Sequence, residues 1–309
     1  MKKRRIIGAV LSAVVVSTGL TACGASAPGP SASSLPAPSG VVSPPGVRKG
    51  VPEDITAMVL PATGVDTRLT RGLDGFAQAV GHARLRECVR RQGVGLPEVA
   101  PPAYIGWSDL PDLEFIGRHG LTLNVPVLPE AEAEAEAEAE AEAEAEAADS
   151  PDPVGRNDPA AQRRCGQDAQ AATREVKDLY APLQSRWWPE VSAVRDDPRT
   201  REALRGLPGC LERYGIRVDD QNGFFALVDR TVQRIEDADE AARADRGLGA
   251  AYSVCMAPVE AVREPLLVKR RTAFQASHRD ELLALRRTLL PRIGELERRY
   301  GLSFARPVP

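Results

Sequence analysis

Most of the short motifs that announce enzyme chemistry are missing from this 309-residue sequence. It has no Gly-x-Gly-x-x-Gly and no Gly-Lys-Ser, so the usual backbone cradles for dinucleotides and nucleotide phosphates are absent. It has no Gly-x-Ser-x-Gly, the elbow that presents a hydrolase serine. Histidine occurs only as His82, His119 and His278, without an HExxH spacing, and no two cysteines stand as Cys-x-x-Cys. Zinc and dithiol redox chemistry thereby lose their commonest signatures, and no metal and no cofactor is expected. Charge of one sign is lacking too: 40 Lys and Arg face 43 Asp and Glu, which argues against a nucleic-acid partner. Alternating β-branched runs are sparse, which removes the main signal for a strand-rich fold.

What is present begins with MKKRRIIGAVLSAVVVSTGLTACGAS. Four basic residues, Lys2 to Arg5, precede a mostly apolar stretch from Ile6 to Leu20. At about 15 residues that stretch is too short to span a bilayer. Residues 1–22 read as a secretory signal. Leu20-Thr21-Ala22-Cys23 resembles the bacterial lipobox, whose cysteine thiol receives a diacylglyceryl group. The resemblance implies a lipidated Cys23, membrane lipid as a partner, and a place on the extracytoplasmic face of the cell membrane. Acyl chains, at about 0.8 kcal/mol per buried CH2, would make that attachment essentially permanent. Residues 23–57 then read as a tether, since positions 24–46 hold six Pro, four Gly and six Ser and offer little to bury.

Five cysteines are an odd number for an exported chain. With Cys23 assigned to lipid, Cys88, Cys165, Cys210 and Cys255 remain, and outside the cytoplasm they are expected to form two disulfides. Three pairings exist. The local one, Cys88–Cys165 with Cys210–Cys255, is preferred, although spacing alone does not fix it. Each closed loop would restrict the unfolded chain by about 4 kcal/mol. The phrase Cys-[Val/Leu]-[Arg/Glu]-Arg-x-Gly-[Val/Ile] occurs at 88–94 and again at 210–216. It reads as two helix junctions that need stapling, and as a candidate internal repeat.

Apolar residues at three- and four-residue steps predict helices over Leu73–Arg91, Ala160–Trp188, Pro198–Tyr214, Phe224–Arg246 and Leu282–Tyr300. Pro189 is expected to end the second, and Gly247 with Gly249 to break the fourth. Pro291 is expected to kink or divide the last. Between residues 130 and 147 a strict Glu-Ala alternation reads as a marginal helix with unrelieved i,i+4 repulsion, a solvated insertion. The expected fold is mainly α. Long disulfide-stapled helices form a bundle-like domain over 58–301, followed by a C-terminal tail at 302–309.

Several of these residues also resemble a group of uncharacterised actinobacterial lipoproteins and secreted proteins. The likeness rests on Leu60-Pro61, Cys88 to Gly93, Arg118-His119-Gly120-Leu121, Gly209-Cys210 with Gly215, Cys255, and His278 to Leu282. It implies an exported, disulfide-bonded, helical protein and carries no catalytic assignment; the Glu-Ala tract departs from it.

No residue is expected to be catalytic. Tyr104 and Trp107, near Asp109, Asp112 and Glu114, offer an aromatic and acidic stretch. Trp187-Trp188 offers a second candidate surface, where about 100° between neighbours would send one ring inward and the other outward. Lys269, Arg270 and Arg271 are candidates for contact with anionic lipid or wall polymer. The expected role is binding or organising at the cell envelope, with an envelope protein or wall polymer as partner. The alternatives are a cell-wall glycan hydrolase, which needs paired carboxylates, and a transporter-associated solute receptor, which needs two α/β lobes.

Overall fold

The computed structural model of the chain describes residues 46–94, 109–121 and 158–309, with the backbone alone of 103–104 and 125–126. Cys23, most of the tether, Trp107 and the Glu-Ala tract lie outside the described residues. Among those described, nine helices and two short antiparallel ribbons account for the regular structure, and the protein is mainly α.

Two helices dominate the first core. In α2 (Asp66–Gln92), Leu73, Phe76, Ala77 and Val80 are buried. In α4 (Pro159–Arg195), Val176, Tyr180, Leu183, Trp187 and Val191 face them from one stripe. Met58 and Val59 of α1 (Thr56–Val59) close one end of this core. Leu285, Leu289, Ile293 and Leu296 of α9 (Arg279–Tyr300) complete it, on the stripe that their spacing predicts.

A second core gathers short helices on a long one. α3 (Leu113–His119), α5 (Pro198–Leu204), α6 (Leu207–Glu212) and α7 (Gln221–Arg234) pack on α8 (Ala238–Ser277). Phe224 stacks on Tyr252 at 5.0 Å, and Gln221 donates to the Tyr252 hydroxyl at 2.7 Å. The 40 residues of α8 span about 60 Å. Its first half supplies Leu248 to Val259 to the second core, and its second half supplies Leu267 and Phe274 to the first.

Among the described helices, five start at an aspartate. Asp112, Asp158, Asp197, Asp220 and Asp237 each accept a hydrogen bond from a first-turn N–H, which supplies a partner the helix cannot provide. Proline follows Asp158 and Asp197 at the first helical turn, where its missing N–H does no harm.

The helix ends explain the repeated phrase. After Cys88, Val94 N–H donates to Val89 C=O and Gly93 N–H to Arg90 C=O. After Cys210, Ile216 N–H donates to Leu211 C=O and Gly215 N–H to Glu212 C=O. Both are Schellman stops, with the glycine left-handed at φ 64° and 75° and an apolar residue, Val94 or Ile216, after it. A third occurrence, Glu297-Arg-Arg-Tyr-Gly-Leu302, ends α9 at a left-handed Gly301 and contains no cysteine. Stop and staple are therefore separate devices that coincide twice. Both disulfides form, Cys88–Cys165 and Cys210–Cys255, with Cα separations of 5.4 and 5.6 Å.

Five element expectations are corrected. Pro189 does not end α4, which continues to Arg195, because Val191 and Val194 belong to the buried stripe. Gly247 and Gly249 do not break α8: Gly249 is where α3 approaches, and a Cβ there would lie 2.5 Å from Ile116 O. The helix expected over 198–214 is two, α5 and α6, and that over 224–246 parts at Ile235–Asp237. Pro291 lies inside an undivided α9.

The ribbons were not expected. Strand β1 (Gly46–Lys49) pairs with β4 (Ala305–Val308), and β2 (Ala103–Tyr104) pairs with β3 (Val125–Pro126). Residues 302–309 are accordingly no free tail. Leu302 and Phe304 are buried, and the Phe304 ring lies 6.2 Å from that of Phe76.

Candidate functional site

The acidic stretch before and within α3 is bound up with arginines. Asp109 is ion-paired with Arg195 at 3.3 Å. Asp112 is buried, caps α3, and accepts from Arg68 Nε at 2.6 Å and Nη2 at 2.9 Å. Glu114 accepts from Arg68 and from Arg118. The Arg68 guanidinium, hydrogen-bonded to Glu114, holds that carboxyl below its ordinary range. All three carboxylates are thus paired with arginine: Asp112 and Glu114 tie α3 to Arg68 of α2, and Asp109 is paired with Arg195 of α4. Tyr104 enters a strand by its backbone.

The two tryptophans divide as their spacing requires. Trp187 is 0% exposed, meets the Phe274 ring edge-on at 5.5 Å and donates Nε1–H to Pro61 O at 2.8 Å, whereas Trp188 is 37% exposed. That hydrogen bond is one of several holding the loop before α2. Asp66 accepts from Ala62 N and Thr63 N, Glu264 accepts from Gly64 N, and Arg271 bridges Asp66 at 2.7 Å. Arg270 is paired with Glu190 at 2.6 Å. Two of the three cations at 269–271 are therefore each paired with a carboxylate of the same molecule, Arg271 largely buried and Arg270 half-exposed.

The motifs of the family resemblance also fall at joints. Beyond Leu60-Pro61, the turn at Gly120-Leu121 is held by the buried Asp245, which accepts from Leu121 N at 2.9 Å. His278 lies between α8 and α9 with its ring stacked on Phe274 at 3.9 Å. His119 is buried against Phe115, and burial, then Arg118 and Arg246, keep its pKa below the ordinary imidazole value.

A feature not read from the sequence is a groove of about 460 Å³ along the seam of α2 and α4, beside the Cys88–Cys165 bond. It is lined by Gly81, Leu85, Gly166 and Ala169, with His82 and Arg174 among its polar lining residues, and most of its surface is apolar. Its cause is local. Gly81 lets α4 approach so closely that a Cβ would lie 2.1 Å from Thr173 Oγ1 and 3.0 Å from Ala169 O. Gly166, where a Cβ would meet nothing, then leaves side-chain space unfilled along the same seam. The signal was present as small residues on two helices, but their facing each other depends on register that periodicity does not supply.

A second unexpected feature is the Glu260–Arg263 pair, 2.6 Å apart and buried on α8. Burial outweighs the pull of Arg263 and pushes the Glu260 carboxyl up to about 7. The pair is enclosed by packed helices and opens onto no described cavity. Among the described residues no cluster of His, Cys, Asp and Glu has the geometry of a metal site. No family model, no curated protein and no solved structure matches the chain.

Proposed function

We propose that this chain is held on the extracytoplasmic face of the cell membrane by a lipidated Cys23 and acts there as a binding protein. The groove between α2 and α4 is the observation that carries the binding role: it is apolar, and its walls are two long helices joined by a disulfide. A concave apolar wall with a few polar groups at its edge suits the capture of an apolar group. Rigid walls keep the ordering cost of capture low. The partner is an envelope protein or wall-linked molecule that presents such a group. Two disulfides suit an oxidising compartment, as export requires.

The glycan-hydrolase alternative is not adopted, because Asp109, Asp112 and Glu114 are each tied to arginine. Nor is the solute-receptor alternative, since among the described residues the sheets are two-stranded ribbons, with no α/β lobe.

Binding of a solvatochromic apolar dye tests the proposal. The oxidised protein is expected to enhance the dye's fluorescence, and Ala169→Phe, which fills the groove, is expected to abolish most of that enhancement. Equal enhancement by both proteins would remove the groove as the site.

A further inference from the structure

The β1–β4 ribbon carries an arrangement that folding alone disfavours. Arg48 and Arg306 are direct cross-strand partners, so both side chains leave the same face. Like charges placed opposite one another destabilise a strand pair. Arg48 is exposed and Arg306 half-buried. Burial, and then the charge of Arg48, pull the Arg306 pKa below its ordinary value. Arg306 donates to Gly50 O at 3.2 Å, a neutral acceptor. The pair forms a positive strip on this face; exposed Lys49, next along β1, lies on the other face.

Among the described residues no carboxylate is ion-paired with Arg48, Lys49 or Arg306, although arginines elsewhere are repeatedly paired. The nearest acids in sequence are Glu53 and Asp54, and Asp54 accepts from Thr56 N. Cations do guard exposed sheet edges against pairing with other chains. One charge suffices for that purpose, and two set face to face weaken the ribbon they would guard. An anion lying over the outward face of the pair resolves the conflict.

Position favours a particular anion. Gly46 opens the ribbon, and residues 24–45 are all that separate it from Cys23. Even fully extended, that stretch reaches no more than about 80 Å. A chain anchored at Cys23 therefore keeps this strip within molecular dimensions of the bilayer. We propose that the β1–β4 ribbon is a second, electrostatic contact with the membrane, in which Arg48 and Arg306 take the phosphate headgroups of anionic lipids. This rests on the lipid-anchor reading for its geometry.

The test uses the mature chain with Cys23→Ser, which carries no acyl group, so that partition onto vesicles reports the ribbon alone. Whether the natural protein is lipidated is decided separately, by the mass of its N-terminal peptide. Vesicles of phosphatidylcholine are compared with vesicles that also contain phosphatidylglycerol. Binding is expected only to the anionic vesicles and is expected to be lost at high salt. Each of Arg48→Thr and Arg306→Thr is expected to lower the partition constant roughly five-fold, and the double variant about 25-fold.

Arg270→Ala, which removes an arginine already paired with Glu190, is expected to leave partition unchanged. Arg48→Thr is expected at the same time to raise the melting temperature, since the opposed charge is gone. That combination separates a functional charge from a structural one. Equal partition onto both vesicle types, a double variant no weaker than Arg270→Ala, or retention by wall polymer without vesicle binding would overturn the proposal. If either single variant unfolds, Arg48→Gln and Arg306→Gln carry the same comparison, with about a five-fold loss expected from each.

Discussion

Two glycines of α2, Gly75 and Gly81, meet opposite demands. A Cβ at Gly75 would touch nothing, while one at Gly81 would strike Thr173 and a backbone oxygen of α4. Gly75→Ala should therefore stabilise the protein by about 0.5–1 kcal/mol through helix propensity. Gly81→Ala should destabilise it by about 1–3 kcal/mol through overpacking. Chemical denaturation of the two variants checks both signs. Buried titratable residues give a second test. His119, with its pKa lowered by burial, contributes stability that is present above about pH 6.5 and lost as pH falls through its folded value. Glu260, raised by burial to about 7, contributes stability that is present below pH 4.5 and lost as pH rises through about 7. Unfolding midpoints measured across this range should show the first slope removed by His119→Gln and the second by Glu260→Gln. Unchanged slopes would mean that neither group titrates differently on folding.

At the scale of elements, the helix stops are the most transferable feature. Gly93 and Gly301 have positive φ and open space around them, so alanine there meets no clash and suffers only the left-handed conformation. Each Gly→Ala change should cost about 1–2 kcal/mol, and Gly→Asn less, by thermal or urea unfolding. The amphipathic stripes of α2, α4 and α9 were legible because their burial repeats at helical spacing along a single face. The prolines and glycines were misread because their local preference was overridden by what packs on them. Pro189 sits between the buried Trp187 and Val191, and Gly249 receives the backbone of α3. The ribbons escaped notice since β1 and β4 are four residues each and pair across nearly the whole chain. Of the candidate sites, the division between Trp187 and Trp188 could be read from helix geometry. The groove could not, because it belongs to two helices that only the fold brings together.

For the molecule as a whole, α8 ties one core to the other and the disulfides secure each side separately. Cys88–Cys165 lies at the α2–α4 seam, and Cys210–Cys255 pins α6 to α8. Replacing either pair with alanine should lower stability by about 4 kcal/mol, from loops of 77 and 45 residues. Only loss of the first should also weaken dye binding in the groove, because only that bond borders it. The most direct measurement is non-reduced peptide mass mapping of the protein extracted from its own membrane. The expected result is an N-terminal peptide that begins at Cys23 and carries the mass of a diacylglyceryl group, together with peptides linked Cys88–Cys165 and Cys210–Cys255. An unmodified Cys23, or four free thiols, would contradict it.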